Sequence, residues 1–399
     1  MGALRNNCCT GCTFILLVTS LPVQRMNLHK YKFPRLFCPT HLFLAAAVHV
    51  TCILSAQRDI DTTDAPARRR LLALPVVFYQ PETGWGFGAT ALSLFELDHR
   101  DTLSPLSQVQ FTFAYTTKGQ MISEIPFHLY WNQRINTLSG EVSYNRFTYN
   151  FYGAGEIEPE GVVEKFKVRF PRMRLNYLRK LSAHIYAGAR WWLEDYKMLE
   201  TEDGGLLEQG TIPGAEGSTT SGPGIVALFD TRDNVYSSQK GFYLELVYHN
   251  QSRVWGSTYW FDRYRFDARL FLPTFKKQVL AINVFGDFLS GSVPFNLMAS
   301  IGNSKRMRGF YDGRYRDKNL AMFQCEYRVK FGRVLGAALF LNSASLANNM
   351  KHLALNKAHY SGGAGLRLYL DERSGLSLRL DYAISERPGL FYFVVNEAF

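Results

Sequence analysis

The chain has 399 residues and a formal net charge of +11, and residues 1–56 carry five of its 45 Lys/Arg and no acid. The remaining charge is dispersed, with no Lys/Arg run of the kind that grips nucleic acid. Five of the six Cys also fall before residue 57, so Cys325 stands alone in the rest, which excludes an intrachain disulfide or a Cys metal site there.

Residues 1–56 read as a leader. A short basic stretch follows Met26, which is a more natural start than Met1. The apolar run from Leu42 to Ala56 is too short for a membrane helix and ends on a small residue, the pattern of a secretory signal peptide. Residues 57–71 then form a short periplasmic segment, too short to fold by itself. No later stretch approaches eighteen consecutive apolar residues.

From residue 72 to the end, segments of about ten residues alternate apolar and polar between turn residues. In order they are 72–80, 85–97, 106–117, 120–132, 138–147, 163–178, 183–197 and 224–230. Then come 241–250, 258–272, 277–290, 320–330, 334–342, 360–370, 376–385 and 390–399. The two faces differ in kind. In 376–385, Leu378, Leu380, Tyr382 and Ile384 alternate with Arg379 and Asp381. In 263–272, Tyr264, Phe266, Ala268 and Leu270 alternate with Arg263, Arg265, Asp267 and Arg269. Lipid accepts only the apolar face, since a charge there costs about 2–4 kcal/mol at the midplane. The expected fold is all-β, a closed antiparallel transmembrane barrel of about sixteen strands. In 163–178, Pro171 predicts a bulge at which the outward set moves from Phe166, Val168 and Phe170 to Met173, Leu175 and Tyr177.

Loop lengths agree with a barrel. If the first strand runs outward, every link that faces the periplasm is about ten residues or fewer. The long links 148–162, 198–223, 291–319 and 343–359 then share the other side. The link 291–319 is unusual, because it carries Lys305, Arg306, Met307, Arg308, Gly309, Phe310, Tyr311, Asp312, Gly313, Arg314, Tyr315, Arg316 and Asp317 in one run. A structureless link of that length tends to be functional. Its Arg and aromatic content suits a loop folded back onto something acidic.

Four motifs in order resemble the bacterial surface antigen family, the outer-membrane barrel of BamA- and TamA-type assembly factors, over about residues 72–399. Met307-Arg308-Gly309-Phe310 matches the family's loop motif. Asp230, Arg232, Asp233 and the later Gly241 match its turn motif. Phe151-Tyr152-Gly153-Ala154-Gly155 matches its aromatic-Gly loop. Phe391, Phe393, Val395 and Phe399 match its C-terminal assembly signal. The resemblance implies that Arg308 enters the lumen and pairs with acids on the twelfth and thirteenth strands. Glu326 holds the first place, and the second falls on Asn342, which lacks the charge; Asp287 or Asp312 could supply it.

The resemblance also implies the outer membrane of a Gram-negative bacterium and insertion by the barrel assembly machinery. The role is assistance to protein insertion or translocation. The family's periplasmic substrate-handling domains have no room in residues 57–71, so a separate periplasmic or surface protein partner is expected. Pro75 and Pro388 would weaken a seam between the first and last strands. Two rival roles stand beside this one. One is a channel for small anionic solutes, using Arg190, Arg263, Arg265, Arg367 and Arg379. The other is a structural anchor for a surface complex. No enzyme is expected, since there is no Gly-x-Ser-x-Gly and no His cluster at ligand spacing, and neither a metal nor a cofactor is called for.

Overall fold

The computed structural model describes residues 69–80, 84–98, 101, 104, 106–155, 163–234, 237–369, 377–395 and 397–399. The leader and residues 57–68 lie outside them. Among the described residues, sixteen strands form one antiparallel sheet in chain order. They are β1 (Arg69–Gln80), β2 (Gly84–Phe95), β3 (Ser107–Thr116), β4 (Met121–Trp131), β5 (Asn136–Phe151), β6 (Glu164–Lys180), β7 (Ile185–Glu200), β8 (Gly217–Asp230), β9 (Gly241–Gln251), β10 (Phe261–Pro273) and β11 (Gln278–Gly291). After a separate hairpin of β12 (Ala299–Ile301) and β13 (Tyr315–Asp317), the sheet continues with β14 (Asn319–Phe331), β15 (Leu335–Ala347), β16 (His359–Tyr369), β17 (Ser377–Ser385) and β18 (Leu390–Val395). Among the described residues no ladder joins β1 to β18.

Alternation sorts the side chains. On β10, Arg263 and Asp267 are buried while Tyr264 is half exposed; on β14, Met322, Gln324, Glu326 and Arg328 are buried while Phe323 is exposed. The outer face carries Val142, Leu193, Ile225, Leu246, Val284, Leu339, Leu341 and Leu366 in the open. An apolar exterior around a charged interior inverts the arrangement of a soluble domain.

Two expectations about β6 need correction. The ladder to β5 continues unbroken past Pro171, which faces Tyr144. The register shift lies at Lys167/Val168 against β7, a ladder that also has no pair at Phe170 and Pro171. Nor do the faces switch. Phe166, Val168 and Phe170 are buried on the inner side together with Arg172, because the link 292–318 fills that part of the interior with apolar groups. The outward residues there are Lys165, Lys167 and Arg169. Strand β8 begins at Gly217, earlier than the expected start at residue 224.

The link 292–318 is likewise not structureless. It makes a short 3-10 turn at Phe295–Leu297 and closes on itself through β12 and β13. Its packing is apolar: Val293, Leu297, Ala299, Ile301, Met307, Phe310 and Tyr315 pack on Phe261, Phe285, Leu289, Leu320, Met322 and Ala344 of the sheet. Further along, Phe295 meets Phe151, Phe166 and Tyr196 edge-on, with ring centroids 5.3, 5.7 and 6.3 Å away. The same link touches Asp381 on β17 and Tyr392 on β18. One segment therefore contacts strands from β5 to β18, which requires the sheet to curl around it.

Candidate functional site

The tip of the link is held in one conformation by its backbone. Met307 has φ +50° and Gly309 φ +107°, so the chain reverses twice around Arg308. A Cβ on Gly309 would stand 3.2 Å from Ser361 Cβ and 3.3 Å from the Ile384 carbonyl oxygen, a second reason for glycine there. Met307 N–H donates to Gln324 Oε1 at 3.2 Å, Gly309 N–H to the Tyr392 hydroxyl at 2.8 Å, and Ser385 Oγ to the Gly309 carbonyl at 2.9 Å.

These contacts drive Arg308 into the interior, where it is fully buried. Its Nη2 donates to Glu326 Oε2 and its Nη1 to Asp381 Oδ2, both at 2.5 Å, and the guanidinium lies 3.5 Å over the Phe340 ring. The second carboxylate comes from β17, not from β15. Asn342 points inward too, but it donates to Ser361 Oγ at 3.0 Å. Asp287 is engaged by Arg263 and Arg265, and Asp312 is exposed. The expected gap at Asn342 is thus filled from β17, two strands further along the sheet. The register shows how: Asp381 faces Gly365, and a Cβ on Gly365 would fall 1.9 Å from Asp381 Oδ1. Only glycine leaves that carboxylate room.

The pair of acids is shared. Arg328 Nε donates to Glu326 Oε1 at 2.7 Å, and Arg367 reaches Asp381 Oδ1, Glu326 Oε1 and Glu397 Oε2 at 2.6, 3.2 and 3.0 Å. Arg379 Nη1 stands 3.1 Å from Asp381 Oδ2, and its Nη2 donates to the Ser304 carbonyl at 2.7 Å. Four guanidinium groups thus surround three carboxylates, all but excluded from solvent. Burial on this scale is tolerable only because each charge has partners of opposite sign. Arg306 and Arg316 use aromatic faces instead. Arg306 lies 3.8 Å over Phe285; Arg316 is near Phe151 and Phe295 and donates to the Gly313 carbonyl.

The other motifs occupy distinct places. Arg232 grips Asp230 through Nε and Nη2 at 2.9 and 2.8 Å, Asp233 Oδ1 accepts from the Gln239 and Lys240 amides, and Gly241 has φ +114°. Together they close the β8–β9 turn. The Gly155 amide donates to the Arg316 carbonyl at 2.9 Å, which ties the aromatic-Gly loop to the link. The C-terminal set is divided. Phe391 is exposed, whereas Phe399 turns inside, against Phe271, Val279 and Ala281, with its carbonyl taken by Arg328. Strand pairing ends at Val395, so the period of two no longer fixes the facing of Phe399. The side chains of Phe393 and Val395 lie outside the described residues.

Sequence reasoning did not assign Asp381, Arg328, Arg367, Arg379, Glu397 and Tyr392 to this site. The available signal was charge on the inward face of β14, β16 and β17, which marks the cluster without saying which charges meet.

An open-ended curled sheet of sixteen antiparallel strands, with an arginine-tipped loop ion-paired on its inner face, defines a class of barrel-type proteins. Residues 214–399 match the model described as the Omp85 superfamily domain. Its fold is shared by BamA from Haemophilus ducreyi lacking POTRA domains 1–3 (TM-score 0.57, 12% identity, 82% of this chain and 70% of that one). CdiB from Acinetobacter baumannii (0.55, 12%, 82% and 59%) and CdiB from Escherichia coli (0.55, 10%, 82% and 62%) share it as well. The chain thus spans about six tenths of the CdiB chains. No curated protein matches it.

Proposed function

We propose that residues 69–399, with β1 beginning at Arg69 and not at residue 72, form a closed barrel in the outer membrane of a Gram-negative bacterium and assist insertion or translocation of proteins there. Residues 1–56 act as the export leader and 57–68 as a short periplasmic segment. The observation that carries this reading is Arg308, held between Glu326 and Asp381 by a link that spans the interior. Such a link closes the lumen until a partner or substrate shifts it. The latch comprises Met307, Arg308, Gly309, Phe310, Glu326 and Asp381. Closure brings β1 to β18, a seam in which Pro75 of β1 lacks a backbone donor, whereas Pro388 lies in the turn before β18.

The channel reading loses weight on the same geometry. Arg190 pairs with Glu245, Arg263 and Arg265 share Asp287, and Arg367 and Arg379 share Asp381, so each cation it relied on is already engaged by a carboxylate. The protein acts as a scaffold for insertion, without catalysis, and with a separate protein partner. The test is reconstitution in lipid vesicles, with folding of an urea-unfolded outer-membrane protein followed by gel shift. Faster folding with the chain and co-purified partners supports the reading. A rate equal to that of empty vesicles contradicts it.

A further inference from the structure

Near the loop edge, the outer faces of β5, β6 and β7 change character at one level. Going toward that edge, β5 presents Val142 and Tyr144 and then Arg146. On β6 the order is Met173, Pro171, Arg169, and on β7 it is Leu193, Asp195, Lys197. The three cations are direct register partners, Arg146 with Arg169 and Arg169 with Lys197. Partners in an antiparallel ladder point to the same face, with Cβ atoms about 4.5–5.5 Å apart, and like charges so placed repel. Their neighbours Asn145, Val168, Phe170 and Tyr196 are buried, which puts the cations on the outside.

Nearby acids neutralise the row only at Lys197. Asp195 reaches Lys197 Nζ at 3.4 Å; Glu200 is held by Lys167 at 2.9 Å, and Glu202 accepts from the Lys165 amide. Neither Arg146 nor Arg169 has a carboxylate among the described residues, and Arg169 Nε is buried there without an acceptor. Directly beneath lies an exposed apolar strip, with Val142 at 44%, Tyr144 at 38% and Leu193 at 38% exposure.

We propose that Arg146, Arg169 and Lys197 bind the phosphate of a membrane lipid headgroup whose acyl chains lie along that strip. The phosphate relieves the repulsion, and guanidinium groups suit phosphate because their donors fork. The apolar strip selects a lipid over a free anion. This inference rests on the membrane reading above.

The test uses the full chain in phosphatidylcholine nanodiscs doped with phosphatidic acid, with retained lipid counted by native mass spectrometry. Arg146→Gln, Arg169→Gln and Lys197→Gln together are the variant, and insertion into pure phosphatidylcholine is measured first. Preferential retention of phosphatidic acid, lost by about fivefold per cation removed, is the expected result. Equal retention by variant and parent, or no preference for phosphatidic acid in the parent, overturns the proposal. Displacement of the lipid by inorganic phosphate overturns it in favour of a free anion. A chain that enters no phosphatidylcholine disc refutes the membrane reading, and this proposal with it, before any headgroup is compared.

Discussion

Arg308 meets its carboxylates where water does not reach, and the consequences of losing either partner follow from that. Removing one member of a buried pair typically costs about 3–5 kcal/mol, because the other charge is left uncompensated. Arg308→Ala, Glu326→Ala and Asp381→Ala should each lower stability by about that much in urea titrations. Lys167→Ala, which breaks an exposed pair, should cost at most about 1 kcal/mol. The double variant Arg308→Ala/Glu326→Ala should cost less than the sum of its parts. Gly365→Ala should resemble Asp381→Ala, since the new methyl must displace the Asp381 carboxylate. If Gly365→Ala behaves as the parent does, the role given to Asp381 is wrong.

A milder electrostatic hold sits at the base of the link. Partial burial opposes ionisation of Glu386, but hydrogen bonds with Tyr315 and His359 and the nearby Arg387 outweigh it and keep its carboxyl below the ordinary 4.5. A depressed carboxylate stabilises above its unfolded pKa and loses that contribution as pH falls through the folded one. Protease cleavage near Tyr311 should therefore rise as pH drops below about 4.5, and Glu386→Gln should remove that dependence. A pH response unchanged by Glu386→Gln would refute the assignment.

Among the elements, the link 292–318 depends on two anchorages of different chemistry. One is ionic, at Arg308. The other is Phe295, packed among Phe151, Phe166 and Tyr196. Phe295→Ala should cost about 3–5 kcal/mol and free the first half of the link while leaving Arg308 paired. Limited proteolysis of the two halves would separate these effects. Parity of the strands places 201–216 and 292–318 at one edge and 332–334 at the other. Cys at Gln209 should react with an impermeant label on intact cells, and Cys at Arg333 should not; the reverse would invert the orientation. At this scale the strands were legible because burial follows a period of two. Facing was misread where the interior itself becomes apolar, as at Phe166, Val168 and Phe170, since periodicity then cannot tell lipid from packed protein. Phe399 escaped prediction for a related reason, as it lies beyond the last ladder pair.

At the scale of the whole molecule, sixteen strands in chain order and long links on one edge could be read from alternation and turn residues. The charge cluster could not. Which Arg meets which acid depends on register across β14 to β17, and a one-residue slip would change every pair. Hence Glu326 was found from its position in the motif, while Asp381 emerged only from three-dimensional neighbours. In the proposed membrane barrel the ion-paired link fills the interior. Single-channel recording in a planar bilayer tests it directly. The parent should show a closed or briefly flickering conductance, and Arg308→Ala a larger and longer-lived one. A steady open pore in the parent, unchanged by Arg308→Ala, would contradict it.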